Sequence, residues 1–157
     1  MTSNTDPLSE HFDLSELTVS QAAARAGLRN VPLPGYRENL RRLACALEQI
    51  RLLLGGHPIV ITSGYRSADV NRLIGGAPQS AHLLGLAADF ICPGYGTPQQ
   101  ICQALLDSPI GFDQLIYEGS WVHFAIPDSR LEDPRRDVLT AIFAPGQNTR
   151  YAKGILA

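Results

Sequence analysis

Cysteine is scarce in this chain. Cys45, Cys92 and Cys102 are odd in number and show no CxxC spacing, which speaks against a disulfide framework. Each stands among apolar neighbours and reads as a small core residue. Long hydrophobic runs are missing too, and nothing approaches the roughly 20 apolar residues of a membrane-spanning helix. Neither charge sign dominates: 13 Lys and Arg against 15 Asp and Glu leave a formal net charge of −2. No bulk field therefore draws the protein to nucleic acid or to an anionic membrane. The opening Met1-Thr2-Ser3-Asn4-Thr5-Asp6 lacks the basic-then-apolar order of a signal peptide, which places the chain in the cytoplasm at synthesis. Repeats and low-complexity segments are absent as well. What remains is a chain of 157 residues, 45% hydrophobic and 18% charged, which suits one soluble domain with its own core.

Read in order, residues 1–11 form a flexible lead-in. Thr18-Val-Ser-Gln21 has the spacing of a capping box and opens a short Ala-rich helix that Gly27 ends. Asn30 to Gly35, with Pro32 and Pro34, reads as a connector. Leu40, Leu43, Ala44, Leu47, Ile50 and Leu54 then mark one apolar helical face, stopped by Gly55-Gly56. Pro58–Thr62 is a β-branched strand, followed by a turn at Ser63–Ser67 and a short helix that Ser67 caps. Leu86–Ile91 reads as a buried strand. Thr97-Pro98 supplies the N-cap and first-turn proline of a helix to about Leu106. Asp113–Glu118 and Trp121–Ile126 are strands joined by a two-residue turn, Gly119-Ser120. A charged loop, Asp128–Asp137, leads to an edge strand at Val138–Phe143, and 144–157 is a tail packed on or trailing from the domain. Helices come early and strands late. The expected fold is α+β, with a small, mostly antiparallel sheet and the helices packed on one side.

Two imidazoles and a carboxylate stand out. His82 and Asp89 lie seven residues apart with Gly85 and two alanines between them, and Trp121-Val122-His123 brings a second histidine inside an apolar run. Two histidines and an aspartate suit a catalytic zinc, because three protein ligands leave a fourth position open. The small residues near Asp89 would let the backbone pass close to the ion. The hairpin adds a consequence: Glu118 pairs with Trp121, Tyr117 with Val122 and Ile116 with His123. Glu118, Trp121 and His123 then share one face, with Glu118 diagonal to His123 at roughly 7–8 Å between backbones. A carboxylate there is placed for general-base work without being a ligand. Arg66, in the turn, offers a guanidinium to a carboxylate or a developing oxyanion. His11 and His57 read as ordinary surface or hydrogen-bonded histidines.

Ser63-Gly-Tyr-Arg-Ser67, Ser80-Ala-His-Leu-Leu-Gly-Leu-Ala-Ala-Asp89 and Trp121-Val-His123 together resemble the zinc D-Ala-D-Ala carboxypeptidase family. That family includes phage endolysin peptidases and vancomycin-resistance dipeptidases. The likeness is to its short phage and prophage branch, where stretches like Phe12–Thr18 and Phe112–Ile116 occupy similar places. It runs from Phe12 to Phe143 and implies a zinc peptidase domain over 12–143. The resemblance implies one Zn²⁺ per chain, held by His82, Asp89 and His123. It also implies that Arg66 binds substrate or stabilises the tetrahedral intermediate, with Ser80 lining the site. Characterised relatives carry the general base three positions before the last histidine. Here that position is Ser120, and Glu118 is the nearby carboxylate on the same face, so the base is assigned to Glu118. Trp121 is a candidate substrate platform.

The activity this implies is hydrolysis of D-Ala-containing amide bonds in peptidoglycan stem peptides, as a carboxypeptidase or an endopeptidase acting as a monomer. The partner is the wall peptide, reached after release in phage lysis or from within a virion. Without a separate wall-binding domain, targeting falls to the cleft. The alternative, favoured by Ser120, is a non-catalytic zinc-binding module for cell-wall recognition or phage structure on the same fold.

Overall fold

The core is built around one helix face. Leu40, Leu43, Ala44, Leu47 and Ile50 are all fully buried on α2 (Pro34–Leu53), and Leu54 continues the face at its C-cap. Each such leucine or isoleucine contributes about 1.5–3 kcal/mol by leaving water. The helix starts six residues before its apolar face does. Pro34 sits at N1, where its missing N–H costs nothing, so the last two residues of the expected connector, Pro34 and Gly35, already belong to the first helical turn. Before it comes α1 (Gln21–Ala26), whose cap is Ser20 and not Thr18: the Ser20 hydroxyl accepts from Ala23 N–H, while Thr18 Oγ1 donates to the Leu14 carbonyl.

The computed structural model describes residues 5–129 and 133–157. Positions 1–4 of the expected lead-in, and 130–132 of the charged loop, lie outside the described residues. From residue 5 onward the lead-in is tied down, because Leu14 N–H bonds to the Asp6 carbonyl, Leu8 N–H bonds to the Phe12 carbonyl, and the Leu8 side chain joins the core.

The remaining elements are β1 (Val60–Ser63), α3 (Ala68–Leu73), a 3₁₀ turn (Ala81–Leu84), β2 (Ala87–Ile91), α4 (Pro98–Leu106), β3 (Gln114–Tyr117), β4 (Val122–Ala125), β5 (Asp137–Ile142) and β6 (Arg150–Lys153). The strands form one six-stranded sheet in the order β1-β2-β4-β3-β5-β6. All neighbours are antiparallel except β3 and β5, so the fold is the expected α+β domain with a mostly antiparallel sheet. The strand expected at the edge is instead internal. β5 lies between β3 and β6, and the edge position falls to Arg150–Lys153 in the stretch expected to be tail. Arg135 locks this arrangement with a forked pair of hydrogen bonds to Asp113, and Arg136 lies 4.5 Å above the Phe112 ring.

Alternation divides the sheet. Ala88, Phe90, Leu115, Val122 and Phe124 point toward α2 and α4 and make the core, whereas Asp89, Ile116 and His123 point to the other face. Among the described residues no helix is long and apolar enough to cross a membrane. Cys92 and Cys102 are buried as expected, but Cys45 is exposed, since it falls off the apolar stripe of α2. Burial pushes the Cys102 thiol up to about 12. A thiol reagent at about pH 8 is therefore expected to modify one cysteine in the native protein and all three after denaturation. Rapid labelling of two or more native thiols would contradict this packing.

Candidate active site

Two loops and one strand pair bring the site together. The turn after β1 is held by Asn30, whose amide donates to the Thr18 and Tyr65 carbonyls at 2.7 and 2.8 Å and whose oxygen accepts from Ser67 N–H. Gly64 must be glycine for space, because a Cβ there would stand 2.3 Å from the Leu17 carbonyl oxygen. Arg66 N–H bonds to the His82 carbonyl, which joins this turn to the 3₁₀ turn. Ser80 caps that turn by accepting from His82 N–H at 3.3 Å, and it also accepts from Arg66 Nη2 at 3.2 Å. Gly85 closes it at φ 71°, and a Cβ there would stand 3.0 Å from Leu40 Cγ. Its small size serves the turn and the contact with α2. Ala88 likewise is buried on the core face.

Asp89 and His123 are directly paired across β2 and β4. His123 Nδ1 lies 3.0 Å from Asp89 Oδ1, and His82 Nε2 lies 3.3 Å from the same oxygen. One donor atom from each of the three residues falls within 4.8 Å of the others. Both histidines are buried. His82 Nδ1 stands 2.8 Å from the Gly64 carbonyl, which can only accept, so that nitrogen carries the proton. A neutral His82 then turns a lone pair toward the Asp89 carboxylate. Burial pushes the His82 pKa down, against the pull of Asp89, so a second proton is disfavoured. Burial alone would raise Asp89, yet the adjoining imidazoles, His123 first, outweigh it and hold the carboxyl well below the usual range. Facing lone pairs without a proton between them call for a cation. A His₂Asp set with one histidine oriented by a backbone carbonyl fits zinc.

Glu118 stands beside this cluster. The hairpin has the expected register, with Tyr117 opposite Val122 and Ile116 opposite His123, and Glu118 N–H bonds to the Trp121 carbonyl at 3.1 Å. Gly119, at φ 76°, allows the tight reversal that Ser120 N–H closes onto the Glu118 carbonyl at 2.9 Å. Glu118 lines the cleft, while Ser120 is exposed outside it. Burial, and then the charge of Asp89, push the Glu118 pKa up; His123, Trp121 and Arg66 oppose this. The Trp121 indole nitrogen, like Arg66 Nε, is buried with no hydrogen-bond partner among the described residues. Burial lowers the Arg66 pKa, and Asp89 and Glu118 counter it.

The resulting cleft of about 670 Å³ holds Arg66, Ser80, His82, Asp89, Glu118, Trp121 and His123 together. Every residue singled out from sequence is there, and His57 is not. His11 sits instead in an exposed cluster with Glu10 and Glu48, its Nδ1 2.9 Å from Glu48 Oε2. Asn30, the Gly64 carbonyl, Leu139 and Tyr151 escaped sequence reasoning. Asn30 stands beside prolines and looks like part of a loop. Tyr151 belongs to a four-residue strand too short and polar to show alternation. No curated protein matches the chain. A family model described as Peptidase M15 matches residues 10–125, the stretch that contains all the cleft residues from Arg66 to His123.

Proposed function

The chain belongs to the peptidase M15 family, a family of zinc-dependent metallopeptidases, and on that premise we propose that it hydrolyses D-Ala-containing amide bonds of peptidoglycan stem peptides. One observation carries this reading. A single cleft contains the His82–Asp89–His123 cluster, the carboxylate of Glu118, and two buried donors, Arg66 Nε and Trp121 Nε1, that lack acceptors among the described residues. A purely structural metal site needs the first of these and not the others, and buried donors without partners are rare unless a ligand supplies the acceptor.

His82, Asp89 and His123 would hold one Zn²⁺ per chain, which when bound would supply polarisation of a carbonyl and a water whose pKa is lowered to about 7. Glu118 takes the proton of the attacking water and returns it to the leaving amine nitrogen; its raised pKa makes it a stronger base than an exposed glutamate. The Arg66 guanidinium binds the substrate or the oxyanion that develops on the scissile carbonyl, and Ser80 holds it in place. Trp121 presents its ring and N–H to the peptide. The protein acts as a monomer on the wall, after release in phage lysis or from a virion.

The deciding experiment treats purified cell wall with the protein and follows new amino groups and soluble muropeptides by mass spectrometry. Release is expected, stopped by a chelator and restored by zinc. Zinc-loaded protein that leaves every wall preparation intact would overturn the reading in favour of the non-catalytic module.

A further inference from the structure

The site face of the sheet carries a row of side chains level with Glu118. Tyr117 pairs with Thr140 in the parallel β3–β5 ladder, so Glu118 falls beside Ala141, and Ala141 pairs with Tyr151 on β6. Ala141 is nearly buried and small, which leaves a gap between the carboxylate and the tyrosine ring. Tyr151 lines the same cleft as Arg66, Glu118 and Trp121. Tyr151 is 53% exposed, and its phenol makes no side-chain hydrogen bond among the described residues. Edge strands are normally protected by charge, as Arg150 and Lys153 do here; an aromatic facing the cleft does not serve that purpose. In the next row, Leu139 stands beside Ile116, forming an apolar floor adjoining His123. Both Leu139 and Tyr151 lie beyond residues 10–125.

We infer that Tyr151 is a substrate-binding residue, its phenolic O–H donating to a backbone carbonyl oxygen of the wall peptide, while Ile116 and Leu139 receive a small aliphatic side chain. The inference rests on the peptidase reading above. The phenol is a donor throughout the physiological range, because burial and then the charges of Glu118 and Asp89 push its pKa up. Arg66 and Tyr151 thus offer donors from different walls of one cleft, with Glu118 also facing the space between them.

The test compares Tyr151→Phe and Tyr151→Ala with the parent. KM is measured on purified muropeptides, and Kd by calorimetry with the same muropeptides in a zinc-loaded Glu118→Gln background. Tyr151→Phe is expected to raise KM and Kd by roughly 5- to 10-fold with kcat nearly unchanged, as for a lost ground-state hydrogen bond. Tyr151→Ala raises them further, and zinc content and Tm stay at the parental values. Parental KM and Kd in both variants would overturn the inference. A parent that neither binds nor cleaves muropeptides would instead sink the peptidase reading, and the role of Tyr151 with it.

Discussion

Glu118→Gln is expected to lower turnover of wall peptides by about 10²–10⁴-fold, the range for removal of a general base, while one zinc still binds per chain. The amide keeps the size and position of the carboxylate but cannot take a proton. Metal content should not change, because Glu118 is not among the three clustered donors. A second readout comes from stability. Burial raises the Glu118 pKa, so its ionisation opposes folding once the pH exceeds the unfolded value of about 4.3, and fully so above the folded value. Metal-free Glu118→Gln should therefore melt higher than the metal-free parent at pH 7, and the difference should vanish in acid below both values. Unchanged turnover would remove Glu118 from the mechanism. Unchanged stability at pH 7 with lost turnover would keep the base but remove the argument from burial.

Much of the site was legible in sequence because its geometry is local. A two-residue turn dictates that Ile116 opposes His123 and that Glu118 shares the face of His123, and the observed pairing follows. Ser67 and Thr97 announce their helices by caps that the structure uses. The failures have one physical origin. β5 joins β3 in parallel across a long connection, fixed by the Arg135–Asp113 fork and by Gln114 donating to Asp137 at 3.0 Å. Polar contacts between distant residues leave no periodic trace, so β5 reads as an edge and β6 as tail. Thr18 and Ser20 offer competing caps two residues apart, and spacing alone picks the one that the Leu14 carbonyl has already engaged. Cys45 illustrates the same limit: apolar sequence neighbours do not specify which side of a helix a residue occupies.

Asp89→Asn carries the other large effect: zinc affinity should fall by at least roughly 100-fold, more than the loss of a supporting partner gives. Zinc at about 100 times its Kd stabilises a folded protein by about 2.7 kcal/mol, so the parent should show a clear rise in Tm on zinc addition that the variant lacks. The metal-free proteins differ in a pH-dependent way. Burial would raise the Asp89 pKa, but the adjoining imidazoles, His123 first, depress it below the ordinary carboxylate value. A depressed acid contributes stability that is present above the unfolded pKa, about 3.9, and lost as the pH falls through the folded one. Metal-free Asp89→Asn should therefore be less stable than the metal-free parent at neutral pH, with a gap that closes in strong acid. If the variant keeps the full zinc-induced rise, the ion sits elsewhere, and the Glu10–His11–Glu48 cluster is the next place to look. His11→Ala separates the two outcomes: it leaves the zinc response intact if the ion binds at Asp89 and abolishes it if the ion binds at the surface cluster.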